Sequence, residues 1–262
     1  MSQKQNSGVH STDRHFVSAL ARGLKILQCY DRHHNSLSMA DLVAQTGLPQ
    51  PTVWRLCYTL QKLGYLKTDP TTNQLHLGPA AMMFGAATLS TRQTVDMARP
   101  LIQNMADKYH CAVAIGEHHT DYMVYMLRCQ GDSPLLMNLH IGSAIPLYES
   151  AIGHAYIASA SPEEQQSFLN KAREISDSVH DQILNAIQSY QQKGYVTLYR
   201  PQHHINTIAT TFSLDDGRRY AINCGGPAAL LTESMIEDQV AADLVKLSKG
   251  LKPLFLFGQR SV

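Results

Sequence analysis

No stretch of the 262 residues approaches the roughly 18 consecutive apolar residues that a membrane-spanning helix needs, which argues against a helical membrane protein. Residues 1–15, MSQKQNSGVHSTDRH, lack the apolar core of a secretory signal and read as a disordered tail on a cytoplasmic protein. Cysteine is scarce: Cys29, Cys57, Cys111, Cys129 and Cys224 are an odd number at long, irregular intervals, against both a disulfide framework and a Cys-only zinc site. Neither GxxxxGK[ST] nor GxGxxG occurs, so the commonest phosphate-cradling loops are missing. Net charge is also small, at +1. It conceals an asymmetry, however: residues 1–78 hold 8 Lys+Arg against 4 Asp+Glu, and the remainder 14 against 17. A basic front suggests that the first part meets a polyanion, although a solvated surface can give the same excess. The length suits two domains better than one.

What is present begins with helical periodicity. In residues 16–30, FVSALARGLKILQCY, Leu20, Leu24 and Leu27 recur at four- and three-residue steps and predict a helix with these leucines on its buried face. Ser38 stands where an N-cap should, with Asp41 three residues on as its capping-box partner; Leu42 and Val43 follow as the buried face of a second helix ending at Thr46-Gly47. After Leu48-Pro49, Pro51 suits the first turn of a third helix, since the N–H that proline lacks is one the first turn leaves unpaired anyway. Val53, Leu56, Leu60 and Leu63 predict its apolar stripe, with Gln50, Thr52, Arg55, Thr59 and Lys62 elsewhere on the wheel. Arg can fork onto guanine, Gln onto adenine, and Thr onto phosphate or a thymine methyl. Any solvated helix can carry these groups; two short helices about a Gly-containing turn are what would offer the second to a major groove. Residues 65–68 and 74–77 alternate apolar and polar around Asp69-Pro70-Thr71-Thr72-Asn73, which predicts a hairpin wing whose Lys67 or His76 could meet phosphate.

The run Ser18-Ala19-Leu20-Ala21-Arg22-Gly23-Leu24-Lys25-Ile26-Leu27, the block Gly47-Leu48-Pro49 to Thr52-Val53-Trp54-Arg55-Leu56 and on to Leu63-Gly64-Tyr65-Leu66, and the closing Leu77-Gly78 resemble the IclR family of bacterial transcriptional regulators. The first run is similar to members that control aromatic-acid catabolism. The resemblance implies DNA contacts at Arg22, Gln50, Thr52 and Arg55; Pro51, Thr59, Lys62 and Lys67 join them as candidates from the third helix and the wing. The fold expected is a winged helix-turn-helix over residues 16–78, a linker helix over 79–93 and a C-terminal α+β, GAF-like effector domain over 94–262. Met83, Phe84, Ala87 and Leu89 give the linker an apolar surface, read either as a crossing between two subunits or as an ordinary core helix. The family favours dimers, often paired into tetramers.

Beyond the linker, a helix near 94–109, broken or started by Pro100, precedes strand-like runs at 111–117, 122–127 and 135–140; helical signals follow at 153–160, 162–172 and 181–193. Strands at 207–214 and 219–224 flank the turn Asp215-Asp216-Gly217, and a last helix is expected to open on Ser234 and Glu237, with Ile236, Val240, Leu244, Leu247 and Leu251 on one face. Small residues in Ser150-Ala151-Ile152-Gly153 would let backbone N–H groups at a helix start approach a carboxylate. The family resemblance implies an effector cavity lined by Ser150, Ala151, Ile152, Gly153, Leu198, Thr207, Asn223 and Gly225, with Leu139 closing one side. This chain departs from the family pattern at His154, where many members have Lys, and at Leu198-Tyr199-Arg200-Pro201, where an acidic residue is common; losing that acid and gaining Arg200 suits a more apolar or more acidic effector, such as an aromatic carboxylate.

These readings imply a DNA-binding regulator of a palindromic double-stranded operator, modulated by a small organic acid, homo-oligomeric, with no cofactor, metal or catalytic residue expected. Alternatives stay open. The 13 histidines, with pairs His118-His119 and His203-His204, suggest a metal-responsive regulator, though neighbours on a strand face opposite ways and no zinc-like spacing occurs. The cysteines leave room for redox response, and Cys224 or Ser150 for a nucleophile, although neither has an identifiable base partner in the sequence. A winged helix used only for protein contacts is a further possibility.

Overall fold

The computed structural model describes residues 14–31, 34–90, 93–132 and 139–257. The chain forms two compact units, Met1–Thr91 and Arg92–Val262. The first unit holds helices α1 (Ser18–Leu27), α2 (Met39–Thr46) and α3 (Gln50–Lys62), the antiparallel strands β1 (Leu66–Thr68) and β2 (Leu75–Leu77), and helix α4 (Pro79–Ser90). Ser38 and Asp41 make the reciprocal capping box at the start of α2, and Gly47 ends that helix at φ +65°, a conformation that costs a residue with a Cβ about 1–2 kcal/mol. Lys25 Nζ donates to the Thr46 carbonyl at 2.8 Å, tying α1 to the C-terminal end of α2.

The core of this unit comprises Ile26, Leu37, Leu42, Val53, Cys57, Leu60, Leu66 and Leu75. Leu20 and Leu24, expected inside, are exposed. The face of α1 that packs is set by Gly23, within 3.9 Å of Leu56 when its missing Cβ is built, and by Ile26 and Leu27 beyond it. Leu63 is likewise exposed, since α3 has stopped there and Gly64 turns the chain at φ +78°. Cys57, one turn after Val53, completes the stripe in its place. The wing is pinned by Leu37, which exchanges two backbone hydrogen bonds with Leu75 at 2.8 and 3.0 Å and so acts as a third strand. A Cβ at Gly78 would fall 2.1 Å from the Gly64 carbonyl oxygen, so the glycine after the wing is there to let two backbone segments touch.

In the second unit, α5 (Gln93–Lys108) leads into β3 (Ala112–His119), β4 (Tyr122–Gln130) and β5 (Ala144–Pro146). Helices α6 (Ala151–Ala158), α7 (Pro162–Ile175) and α8 (Asp177–Lys193) follow, then β6 (Val196–Arg200), β7 (Ile205–Ser213) and β8 (Arg219–Pro227). The final helix, α9, joins Glu233–Met235, a π-helical stretch Ile236–Val240 and Ala241–Phe257. The six strands form one antiparallel sheet in the order β5-β4-β3-β8-β7-β6. One face packs on α5 and α9; the other lies under α6 and α8. Alternation along β8 sorts the two: Tyr220, Ile222 and Cys224 belong to the first core, Ala221 to the second.

Several sequence expectations change here. Helix α5 runs through Pro100 instead of breaking; Asp96, whose carbonyl the proline frees, is exposed, so that carbonyl can bond water. Of the strand expected at 135–140, residues 135–138 lie outside the described residues, and 139–140 are not strand; residues 144–146 pair with β4 instead. Strand β6, which had no strong alternation, is held as an edge by β7. Helix α9 is capped by Thr232, whose hydroxyl accepts from Met235 N at 3.2 Å, and not by Ser234 and Glu237. Glu237 serves the tertiary fold, receiving the Tyr195 hydroxyl at 2.5 Å and Lys193 at 3.0 Å.

Candidate nucleic-acid interface and effector face

The packed stripe of α3 leaves the opposite flank bare. Gln50, Pro51, Arg55, Thr59 and Lys62 are exposed and Thr52 is half-buried beside them. On α1, Arg22 is exposed, and on the wing so is Lys67. Thr59 donates its hydroxyl to the Arg55 carbonyl at 2.9 Å, so its proton is used within the helix and its oxygen is left to accept. His76, considered for phosphate, is instead set against Asn35, with Nδ1 3.1 Å from that carbonyl. The sequence reading passed over two aromatic residues. Trp54 (57% exposed) and Tyr58 (49%) stack with ring centroids 5.7 Å apart, and Lys62 Nζ sits 5.4 Å from the Tyr58 ring. Their signal was their four-residue spacing beside Arg55 and Lys62 on the polar side of the wheel. Large aromatic rings stacked in solvent, next to cations and opposite the core, form a surface able to meet a polyanion carrying flat bases.

In the second unit, strand register lines up the predicted effector residues on the face beneath α6. One row runs Gln130, Ala112, Gly225, Thr207, Leu198; the next runs Arg128, Ala114, Asn223, Ala209, Val196. Ala151 and Ile152 of α6 belong to the same buried cluster, with Leu139 and Leu198 packed against it. Thr207 donates to the Leu198 carbonyl at 3.1 Å, and a Cβ on Gly225 would strike the Thr207 methyl at 2.9 Å. Ser150 caps α6, accepting from Gly153 N at 3.2 Å while donating to the Pro146 carbonyl at 2.6 Å. Both roles of that hydroxyl are thus spent on structure, which leaves little for a nucleophile. Gly153 also has a different reason from the one expected: a Cβ there would lie 1.9 Å from the Leu147 carbonyl oxygen, so the small residue admits the chain's own backbone.

His154 is buried and bonds the Tyr148 carbonyl through Nε2 at 2.9 Å. Desolvation first, and the Arg200 charge after it, hold its pKa below the usual imidazole value, so it is neutral and donates. Arg200 in turn donates to the Glu149 carbonyl just ahead of α6. On the far face of the sheet, Cys224 Sγ lies 3.1 Å from Cys111 Sγ, and the hydrogen bond to Cys111 together with burial pushes the Cys224 thiol well up. A thiol so placed is a poor nucleophile. Among the described residues no three His, Cys, Asp or Glu side chains come together as a metal site, and no helix is long and apolar enough to cross a membrane.

Both units match known patterns in the same order. Residues 19–70 match the IclR helix-turn-helix domain, and residues 86–251 match the domain described as bacterial transcriptional regulator IclR C-terminal. The chain belongs to the IclR family. This IclR-family regulator is 25% identical over 244 residues to the HTH-type transcriptional regulator TsaQ1/TsaQ2 of Comamonas testosteroni, covering 90% of this chain and 87% of that one. A crystal structure of an IclR-family transcriptional regulator from Brucella abortus superimposes with a TM-score of 0.85 at 32% identity, covering 94% of this chain and 96% of that one. An IclR homologue from Microbacterium hydrocarbonoxydans, crystallised with 4-hydroxybenzoate, has a TM-score of 0.68 at 15% identity, covering 90% and 98%. The α+β second unit of the regulator is therefore its effector-binding domain, and the first its DNA-binding domain.

Proposed function

We propose that this regulator reads a palindromic double-stranded operator with α3 and that a small organic acid, bound on the sheet face beneath α6, shifts the arrangement of its recognition helices. The observation that carries the DNA reading is the exposed Arg55 flank of α3, opposite the buried Val53, Cys57 and Leu60. Gln50, Thr52 and Arg55 are the base-reading candidates; Arg22, Pro51, Thr59, Lys62 and Lys67 position the helix against the backbone. Exposed Leu20 and Leu24 on α1, with Met82, Met83 and Phe84 on α4, support a homo-oligomer, since so many large apolar residues in water favour burial against a second copy. The effector set is Ser150, Ala151, Ile152, Gly153, Leu198, Thr207, Asn223 and Gly225, with Leu139 at the margin. The 4-hydroxybenzoate held by the Microbacterium hydrocarbonoxydans homologue supports an organic acid as the class. An effector binding one arrangement better than the other moves the equilibrium by that difference in affinity and no more. Catalysis has no part in this reading.

The test uses the protein's own reporter. Trp54 is the only tryptophan, so its emission reports α3 directly. Titrating the full chain with its promoter DNA is expected to change Trp54 fluorescence, with affinity falling steeply as salt rises from about 50 to 200 mM, as counterion release requires. Unchanged emission at saturating DNA would show that α3 is not the element in contact.

A further inference from the structure

The flank of α3 that faces away from the core carries more than polar groups. Counting roughly 100° of rotation per residue from Val53, the residues Gln61, Trp54, Tyr58, Lys62 and Arg55 follow one another around the helix at roughly 80°, 100°, 140°, 180° and 200°. Gln61 Nε2 donates to Thr68 Oγ1 of β1 at 2.5 Å, so the two aromatic rings occupy the sector between the wing and Arg55. The core of the unit includes neither ring: Trp54 is 57% exposed and Tyr58 49%, while Val53, Cys57 and Leu60 hold the helix from the other side. Both rings are nevertheless held in place. Their planes lie 17° from parallel with centroids 5.7 Å apart, and Lys62 Nζ, 5.4 Å from the centre of the Tyr58 ring, braces the far end through a cation–π contact.

A fixed apolar plane of this size in water calls for a partner, and the charge around it says which. Helix α3, QPTVWRLCYTLQK, contains no acidic residue and sets Arg55 and Lys62 beside the rings, which suits DNA; the apolar residues that favour a second copy lie on α1 and α4. In a duplex the base faces are covered by their neighbours, and only the edges are offered. On the major-groove edge the one apolar group that projects is the C5 methyl of thymine; an aromatic face laid on a donor or acceptor would strip its water without replacing the hydrogen bond. Trp54 is the fifth residue of α3, immediately before Arg55, and helical side chains lean toward the N-terminal end, from which recognition helices read. We infer that Trp54 is a specificity-determining residue of the operator contact, its indole face packing on a thymine methyl beside the base that Arg55 reads, with Tyr58 as the residue that positions the indole. The inference rests on the reading of α3 as the recognition helix and adds to it a preference that hydrogen bonds from Gln50 and Arg55 do not supply.

The test is fluorescence anisotropy on labelled duplexes of the promoter operator, synthesised once with thymine and once with deoxyuridine at every thymine position, which removes only the methyl groups. Burial of one methyl group is worth about fourfold in affinity, so the native full-length protein should bind the thymine duplex at least about fourfold more tightly. Trp54→Ala should lose about that factor on the thymine duplex and discriminate between the two duplexes by less than about twofold. Trp54→Phe, which keeps a flat apolar ring, should retain most of the preference, and Tyr58→Ala should fall between the native protein and Trp54→Ala. Because both rings are exposed, the variants should melt at the native temperature by circular dichroism. Equal affinity of the native protein for the two duplexes, or a Trp54→Ala protein that discriminates as the native one does, overturns the inference; loss of operator binding in Arg55→Ala would still support α3 as the recognition helix. Sedimentation covers the other occupant: a Trp54→Ala protein that dissociates at a concentration where the native chain stays assembled would place a second copy on the rings and overturn the inference as well. If neither Trp54→Ala nor Arg55→Ala changes affinity for either duplex, the inference and the reading of α3 fall together.

Discussion

Gly153→Ala is expected to lower the melting temperature of the effector-binding domain by about 6–12 °C, although alanine is the better helix former by nearly 1 kcal/mol. The sign is decided by space. Residue 153 lies in the first turn of α6, where an added Cβ would come 1.9 Å from the Leu147 carbonyl oxygen and 2.6 Å from the carbon that bears it. The obstacle is backbone, not the flexible end of a side chain, and it cannot easily retreat: Leu147 is fully buried, and its own N–H bonds the Asp121 carbonyl at 2.9 Å. Forcing α6 off the sheet would also disturb Ile152, which lies 3.0 Å from the position a Cβ on Gly116 would take. Overpacking of this kind costs about 3 kcal/mol or more. Gly250→Ala supplies the control. Gly250 is exposed in α9 with nothing within 4 Å of a built Cβ, so there the substitution should raise stability by about 0.5–1 kcal/mol. Thermal unfolding of both variants, followed by circular dichroism, tests the contrast. Melting of Gly153→Ala at or above the native temperature would mean that α6 does not approach Leu147 as closely as described.

What could be read from the letters alone, and what could not, divides along the range of the interactions. The α2 capping box and the two turns at Gly47 and Gly217 are local, built from residues within a few positions of one another, and the sequence signals for them matched the structure. A helical period, by contrast, names a face without saying whether it is buried: Leu20, Leu24 and Leu63 satisfied the period of their helices and still lie in solvent, while Cys57 does the packing. The apolar face of α1 is legible as apolar, and only the shape of the rest of the unit shows that Ile26 is the part that reaches the core. The effector face shows the same limit more strongly. Residues such as Leu198, Thr207 and Asn223 could be placed together only through family likeness, because strand register brings them side by side from separate hairpins. Strand β4 looked like an ordinary apolar run ending near Leu127, and only the β-bulge between Ile115 and Gly116 sets Arg128 on the same face as Tyr125.

The second large effect is expected at the DNA. Arg55→Ala should reduce affinity for the native operator about 10- to 100-fold, corresponding to about 1–3 kcal/mol for one base-reading pair, while leaving the melting temperature nearly unchanged. The fold is indifferent because Arg55 is exposed on α3 and its helix is held by Val53, Cys57 and Leu60 on the other side; the hydrogen bond from Thr59 uses the Arg55 backbone carbonyl and survives the substitution. Arg55→Lys then distinguishes two ways in which the loss can arise. A lysine keeps the charge for a phosphate but not the planar fork that matches guanine, so if Arg55 reads a base, lysine should restore binding to unrelated DNA without restoring preference for the operator. If Arg55 only grips phosphate, lysine should recover most of the affinity on every sequence, and alanine should lower the slope of log affinity against log salt by about one unit. Measured by fluorescence anisotropy on operator and scrambled duplexes at two salt concentrations, equal affinity of native and alanine proteins under all conditions would place the DNA elsewhere than on α3, and with it the regulatory mechanism built on that helix would fail.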